Sequence, residues 1–400
     1  MSRRYQALAL VAALTVSLTG CGASAAARTP TPGTRLAALA QQTVDAGAPG
    51  VVVRVDQGDG QVIEIARQAP WSRADHVLAA GDEFRMGSNT KTMVATVVLQ
   101  LVAERRLRLT DPVGNWLPEI PNSSAITVRM LLNHTSGLFN YAFDPDVLKS
   151  FTGQDTRPWS PDELIAAAVR HDPLFAPGTA YSYSNTNYVA LGLIAEKASG
   201  STISDLIRER ITRPLHLTHT YLVAGSDRGP LLTHGYEPEA SRLAPVLPAG
   251  APAGTAFAGP ARPGGYVDTT GIRPGTEWAA GGMVSTARDW ARFDTALMSG
   301  RLLPAAQLAE MKTTVAEESG NPNRYGLGVE KKVTPCGPVW GHDGQVPGYS
   351  SWEYTDETGR RTVSVLITTI FGVASPRPAA ATQALLNTAI CTMRAAPLKH

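Results

Sequence analysis

Residues 85–92, Arg85-Met86-Gly87-Ser88-Asn89-Thr90-Lys91-Thr92, run without a break into the apolar segment 93–102. If that segment is a helix, Ser88 lies in its first turn and Lys91, three residues on, shares its face. A hydroxyl and an amine are then neighbours. Serine at its own pKa is a poor nucleophile, and a desolvated lysine that has lost its proton can serve as its base. Alone, the pair also describes an N-cap serine followed by a solvated lysine, which is the commoner case. The rest of the chain decides between the two.

Two other stretches carry groups that acyl transfer could use. In Tyr181-Ser182-Tyr183-Ser184-Asn185, the Tyr183 phenol can relay a proton and the Asn185 amide can orient a substrate carbonyl or amine. In Gly341-His342-Asp343-Gly344, His342 offers a donor or a positive charge, and Gly344 lets a ligand backbone come close. Singly these read as a polar loop and a strand-end histidine. Yet Ser-x-x-Lys, Tyr-x-Asn and His-x-Gly each occur once in the chain, in the order helix, loop, late strand.

The periodicities around them give the organisation. Residues 34–46 read as an amphipathic helix, and 51–55 and 62–65 as strands flanking the turn Gln57-Gly58-Asp59-Gly60. The helix after Ser88 is expected to reach about Leu107. Helices over 128–133, 161–171, 188–199, 203–211, 287–298 and 304–312 follow, separated by Pro- and Gly-containing loops. Residues 245–275, dense in Pro, Gly and Ala, read as a long loop, either an insertion or a wall over the site. Strands return at 325–333, 339–341, 349–354 and 361–369, and a helix over 379–393 closes the chain. The fold class is therefore α/β: an antiparallel sheet flanked by helices and completed by both termini (34–110 and 313–400), with an inserted all-helical domain (111–312).

Composition excludes some functions. A formal charge of +2, with 36 basic and 34 acidic residues and no long runs, leaves no footprint for nucleic acid. Residues 1–20 read as an export signal: Arg3 and Arg4 precede an apolar stretch, 7–18, too short for an ordinary span. Leu18-Thr19-Gly20-Cys21 resembles a bacterial lipobox, which makes Cys21 the lipidated first residue of a membrane-anchored lipoprotein, with 21–33 as its tether. The alternative is simple secretion. With Cys21 lipidated, Cys336 and Cys391 remain, either as a disulfide in an oxidising compartment or as two buried thiols. His216 and His219, the only close histidine pair, lack further ligands nearby, so no metal site is expected.

Taken together, the three motifs resemble the serine penicillin-recognising enzymes. The resemblance is greatest to exported D-alanyl-D-alanine carboxypeptidases with Tyr-x-Asn and His-x-Gly, relatives of class C β-lactamases and bacterial esterases. It runs from about Thr34 to Met393 and takes in Leu131-Leu132-Asn133-His134-Thr135-Ser136-Gly137-Leu138, Pro177-Gly178 before Tyr181-Ser182-Tyr183-Ser184-Asn185-Thr186-Asn187, Tyr325-Gly326-Leu327-Gly328 and Trp278 before Ala279-Ala280-Gly281-Gly282. It implies a β-lactamase/DD-peptidase-like fold, Ser88 as nucleophile, Lys91 as its base, Tyr183 as proton shuttle, Asn185 as substrate orienter and His342 as support for Tyr183. Further, it implies an oxyanion hole from the N–H groups of Ser88 and Gln345 beside Gly344, Trp278 as a pocket wall and a Cys336–Cys391 disulfide. No cofactor is required. The expected partner is a small peptide, ester or β-lactam, handled by a monomer.

One departure bears on substrate. The family's carboxypeptidases grip a free carboxylate with hydroxyls and an arginine, whereas the corresponding positions here are Asp343, Gln345 and Glu330, with Lys331, Lys332 and Arg324 nearby. The expected activity is D-alanyl-D-alanine carboxypeptidase. Esterase, D-amino-acid amidase or β-lactamase-like hydrolysis would use the same machinery, and a non-catalytic penicillin-binding sensor is the alternative from another class.

Overall fold

A valine-rich run starts the sheet. In the computed structural model, which describes residues 30–223, 231–247, 254–317 and 320–395, β1 (Gly50–Asp56) and β2 (Val62–Gln68) pair antiparallel from Gly50↔Gln68 to Asp56↔Val62. The export signal and Cys21 lie outside the described residues. The other sheet strands come from the far end of the chain: β3 (Val315–Ala316), β4 (Arg324–Tyr325), β5 (Glu330–Lys332), β6 (Val339–Val346), β7 (Tyr349–Thr355) and β8 (Thr362–Ile367). Their order is β2-β1-β8-β7-β6-β5-β4-β3, with every neighbouring pair antiparallel. The two ends of the sequence thus meet at β1 and β8.

Of the five longer helices, α1 (Pro32–Ala46), α2 (Thr90–Ala103), α4 (Ala287–Met298) and α5 (Pro376–Ala395) pack on this sheet, while α3 (Asn185–Ser199) packs on α2. On one face Val51, Val53, Val55, Val363, Val365 and Ile367 pack against Leu36 and Ala40 of α1 and Leu385, Leu386, Ile390 and Met393 of α5. Val52 and Leu366 point the other way, into the larger core of α2, α3 and α4. The period of two divides the strands between the two cores. Each of the large α5 side chains contributes about 1.5–3 kcal/mol by leaving water. Residues from Pro32 onward cluster as one unit. Among the described residues, no helix is long and apolar enough to cross a membrane.

Several expectations need correction. The strand expected over 325–333 is two short strands folded on each other, Arg324↔Lys331 and Tyr325↔Glu330, because the intervening residues turn, Gly326 N–H donating to Val329 O at 2.7 Å. The helix after Ser88 ends at Ala103, where Arg105 at φ +61 reverses the chain. α3 begins at Asn185, three residues early, so Asn185 is a helical residue and not part of a loop. The helix 203–211 stops at Ile207 and continues as a π turn, and Pro145–Phe151, capped by Asp144, was not anticipated. The described part of 245–275 is not structureless. Tyr266–Asp268 pairs with Ala261–Arg262 and with Tyr236–Pro238, and Leu243, Phe257 and Ile272 form a small core.

Two fixtures secure the sheet where the site is built. Glu237, fully buried, accepts from the N–H groups of Gly348 (2.7 Å), Ile370 and Phe371 (both 2.9 Å) and from the Thr369 hydroxyl (3.2 Å), pinning the β6–β7 turn. Cys336 and Cys391 are disulfide-bonded, Cα atoms 5.3 Å apart across 55 residues, tying α5 to the segment before β6. Closing a loop of that length is worth about 4 kcal/mol. The Cys336→Ser/Cys391→Ser double variant is therefore expected to lose about 2–5 kcal/mol in a denaturant titration. A midpoint unchanged from wild type would refute that contribution.

Candidate active site

The nucleophile turn is set by two glycines. Gly87 takes φ +52, and a Cβ there would sit 2.6 Å from Gln345 N. A Cβ on Gly344 would overlap Met86 O and lie 2.9 Å from Ser88 N. Strand β6 therefore runs directly against the 3-10 turn Gly87–Asn89, bringing Gln345 beside Ser88. Asn89 Nδ2 donates to Ser351 Oγ at 2.7 Å and Ser351 Oγ to Met86 O at 2.9 Å, fastening the turn to β7.

From that turn, α2 enters the core and carries Lys91 with it, fully buried. Lys91 Nζ lies 2.9 Å from Ser88 Oγ, 2.7 Å from Asn185 Oδ1 and 2.7 Å from Ala280 O. Burial pushes its pKa well below the usual lysine value, and the Asp343 carboxylate opposes the shift only in part. A neutral amine has two N–H donors and one lone pair. The Asn185 and Ala280 oxygens can only accept, so they take both donors and the lone pair falls to the Ser88 hydroxyl.

Tyr183 arrives on the segment before α3 and shares a hydrogen bond with Ser88. Desolvation raises its pKa well above the phenol norm, so it holds its proton. Its ring rests on His134, centroids 4.3 Å apart, and Lys91 Nζ is 4.8 Å from its centroid. His134 Nδ1 accepts from Ser184 N–H (3.2 Å) and Asn187 Nδ2 (3.0 Å), and Ser136 Oγ donates to Asn187 Oδ1 (2.6 Å). The 133–138 run thereby clamps the Tyr183 segment. Burial lowers the His134 pKa well below the usual imidazole value and holds it neutral.

His342 does not hydrogen-bond Tyr183. Its Nδ1 faces the Asp343 carbonyl, its Nε2 accepts from Tyr325 O–H at 2.8 Å, and its ring stands 6.2 Å from that of Tyr183. Burial, opposed in part by the Asp343 carboxylate, brings its pKa down to about 4, so it is a neutral part of the wall, not the positive charge the sequence allowed. Tyr325 mediates, facing His134 at 4.8 Å and Tyr183 at 6.4 Å. Trp278 also needs correction: its ring packs on α3, where a Cβ at Gly192 would come within 2.7 Å, and it lines a neighbouring cavity of about 760 Å³ with Trp159 and Ile272. The Ser88 cleft is lined instead by Tyr141, Asn185, Glu277, Gly281 and Gln345.

Sequence reasoning assigned no role to His134, Asn187, Tyr325 or Glu277. The first three stand in the motifs that carry the family resemblance, which was the available signal. For a metal, one triad of described residues qualifies by position, Asp75, His234 and Asp268. Arg262 already occupies it, donating to Asp75 at 2.7 Å and to Asp268 at 3.0 Å, so it is an ion-pair network. His219 is held by Glu83 at 3.1 Å.

A family model described as Beta-lactamase matches residues 36–388. The chain belongs to the β-lactamase family. Among solved structures it is similar to a D-stereospecific amidohydrolase from Streptomyces sp., with 32% identity, a TM-score of 0.75, and 89% of this chain and 99% of that one covered. Among curated proteins it is similar to the putative penicillin-binding protein PbpX of Bacillus subtilis, 26% identical over 72% of this chain and 62% of the relative. Esterase EstB of Burkholderia gladioli is 31% identical over 64% of each chain. The matches span less than two thirds of those two curated relatives.

The close approach of β6 gives a direct test. Gly344→Ala should displace the Ser88 turn and slow acylation by an activated ester about 100-fold or more, a shift of the order of 1 Å being enough. Stopped-flow acylation at the wild-type rate would show that the contact does not set the geometry.

Proposed function

We infer that the chain is a serine hydrolase that forms an acyl-enzyme at Ser88 and acts on amides and esters of D-amino-acid type. The observation that carries this reading is the hydrogen-bond arithmetic at Lys91: two acceptors that need its protons, and a serine hydroxyl at 2.9 Å left for its lone pair. As Ser88 Oγ attacks the carbonyl carbon, its proton passes to Lys91. The carbonyl oxygen takes up charge between the N–H groups of Ser88 and Gln345. Tyr183 gives its proton to the departing amine or alkoxide as the bond to the acyl carbon breaks, and Lys91 returns one to Tyr183. Water, losing a proton to the same pair, then attacks the acyl-enzyme and frees Ser88. Support for the substrate class comes from the relatives, whose names include a D-stereospecific amidohydrolase and an esterase.

The narrower reading, a D-alanyl-D-alanine carboxypeptidase, requires a cation for the free carboxylate. The three nearby candidates are engaged elsewhere. Lys332 Nζ is 3.8 Å from Glu330, Lys331 lies over Trp340 at 5.5 Å, and Arg324 donates to Thr314. Asp343, half exposed, adds a negative charge felt by Lys91 and Tyr183. These observations favour substrates whose leaving group is neutral.

Intact-mass spectrometry after incubation with a penicillin or an activated ester is expected to show an acyl adduct on wild-type protein and none on Ser88→Ala. Absence of both adduct and turnover for any D-peptide, ester or β-lactam would remove the hydrolase reading and leave a binding module. For a D-Ala-D-Ala peptide pair differing only in C-terminal amidation, kcat/KM is expected to be about tenfold higher for the amide, from the like charge the free carboxylate meets. Preference for the free acid would restore the carboxypeptidase reading.

A further inference from the structure

We propose that Glu277 binds the free α-ammonium group of the substrate, so that the cleft takes amino-acid amides and esters whose amine is unblocked. The proposal rests on the acyl-transfer reading of Ser88 given above. Glu277 borders the same cleft as Ser88, Asn185 and Gln345. Only Gly281 separates its stem from the Ser88 turn: a Cβ placed on Gly281 would lie 3.1 Å from Glu277 Cβ and 3.7 Å from Gly87 C. An α-amine is one carbon away from the carbonyl that Ser88 attacks, so a group that reads it must sit this close to the nucleophile.

Glu277 is only 7% exposed, and its Oε2 has no hydrogen-bond partner. A buried carboxylate oxygen without a donor is costly, and an ammonium brings three donors and the opposite charge. The nearest cation, Arg85, acts on Glu277 through its charge and makes no hydrogen bond or ion pair with it. Arg85, whose charge reaches Glu277, donates to Thr270 O at 3.0 Å and lies 5.5 Å from the Tyr349 ring centroid. Lys91 is committed to Ser88, Asn185 and Ala280. Burial, opposed by Arg85 and Thr276, brings the Glu277 pKa up to about 7, the condition of an acid that lacks a counterion. With the ammonium on Glu277 and the carbonyl oxygen between Ser88 and Gln345, two substituents of the substrate Cα are fixed. The third then points differently for the two hands, a physical basis for stereoselection.

The test compares D-phenylalanine p-nitroanilide with its N-acetyl derivative, which has the same leaving group and no charge. Wild-type kcat/KM is expected to fall about thirtyfold or more on acetylation, mainly through KM, as for loss of one partner of a buried charge pair. Glu277→Gln should bring the ratio of the two substrates to within about threefold of one, and Glu277→Asp should recover part of it. Equal wild-type rates on both anilides, or a proportionate loss on both in Glu277→Gln, would overturn the assignment. Labelling of Ser88 by an activated ester separates the two levels: labelled protein that ignores the amine sinks only this inference, whereas protein that labels with nothing sinks the hydrolase reading itself.

Discussion

The site depends on a lysine amine held where water cannot reach it. Lys91 stands on a helix buried on all sides, and a cation there, without a paired anion, would cost several kcal/mol. The protein lowers that cost by letting Lys91 give up its proton and by surrounding it with acceptors. The same desolvation keeps His134 and His342 neutral and the phenols of Tyr183 and Tyr325 protonated. One physical cause thus gives an unprotonated amine beside Ser88, a protonated phenol hydrogen-bonded to it and a wall of neutral rings.

The fold brings four distant parts of the chain together here. The turn at the head of α2 brings Ser88 and α2 itself Lys91, the start of α3 brings Asn185 just after Tyr183, the short helix Trp278–Gly281 and its cap bring Ala280 and Glu277, and β6 brings Gln345. β6 is an inner strand, paired with both β5 and β7, so its distance from the Ser88 turn is fixed by two ladders and by the Glu237 staple at its end. At Gly344 this rigidity is concentrated, since any larger residue must push against Met86 and Ser88 at once.

Much of this was legible in the sequence. The valine-rich run 51–55 was readable because β-branched residues buried on both faces mark an inner strand, and the Ser88–Lys91 pair because helical spacing alone makes them neighbours. Gly326-Leu327-Gly328 was read through as strand, although its glycines turn the chain, because the flanking residues alternate as a strand would. Residues 245–275 looked unable to pack, yet Phe257 and Ile272 suffice for a small core with Leu243. Trp278 and His342 were placed in the cleft by resemblance, but packing against Gly192 and a hydrogen bond to Tyr325 decide where they go. Glu277 had no local signal at all, since its meaning lies in an unpaired oxygen that only the assembled cleft reveals.

The most direct measurement is the ionisation of Lys91 itself. Protein labelled with [13Cε,15Nζ]lysine, with the Lys91 signal assigned by its loss in Lys91→Met, can be titrated by NMR. The account predicts a neutral amine persisting well below pH 10.5 and taking up its proton only as the pH falls through the lowered value. An ammonium signal that survives up to pH 10.5 would contradict it, because a lysine that keeps its proton cannot accept the one from Ser88.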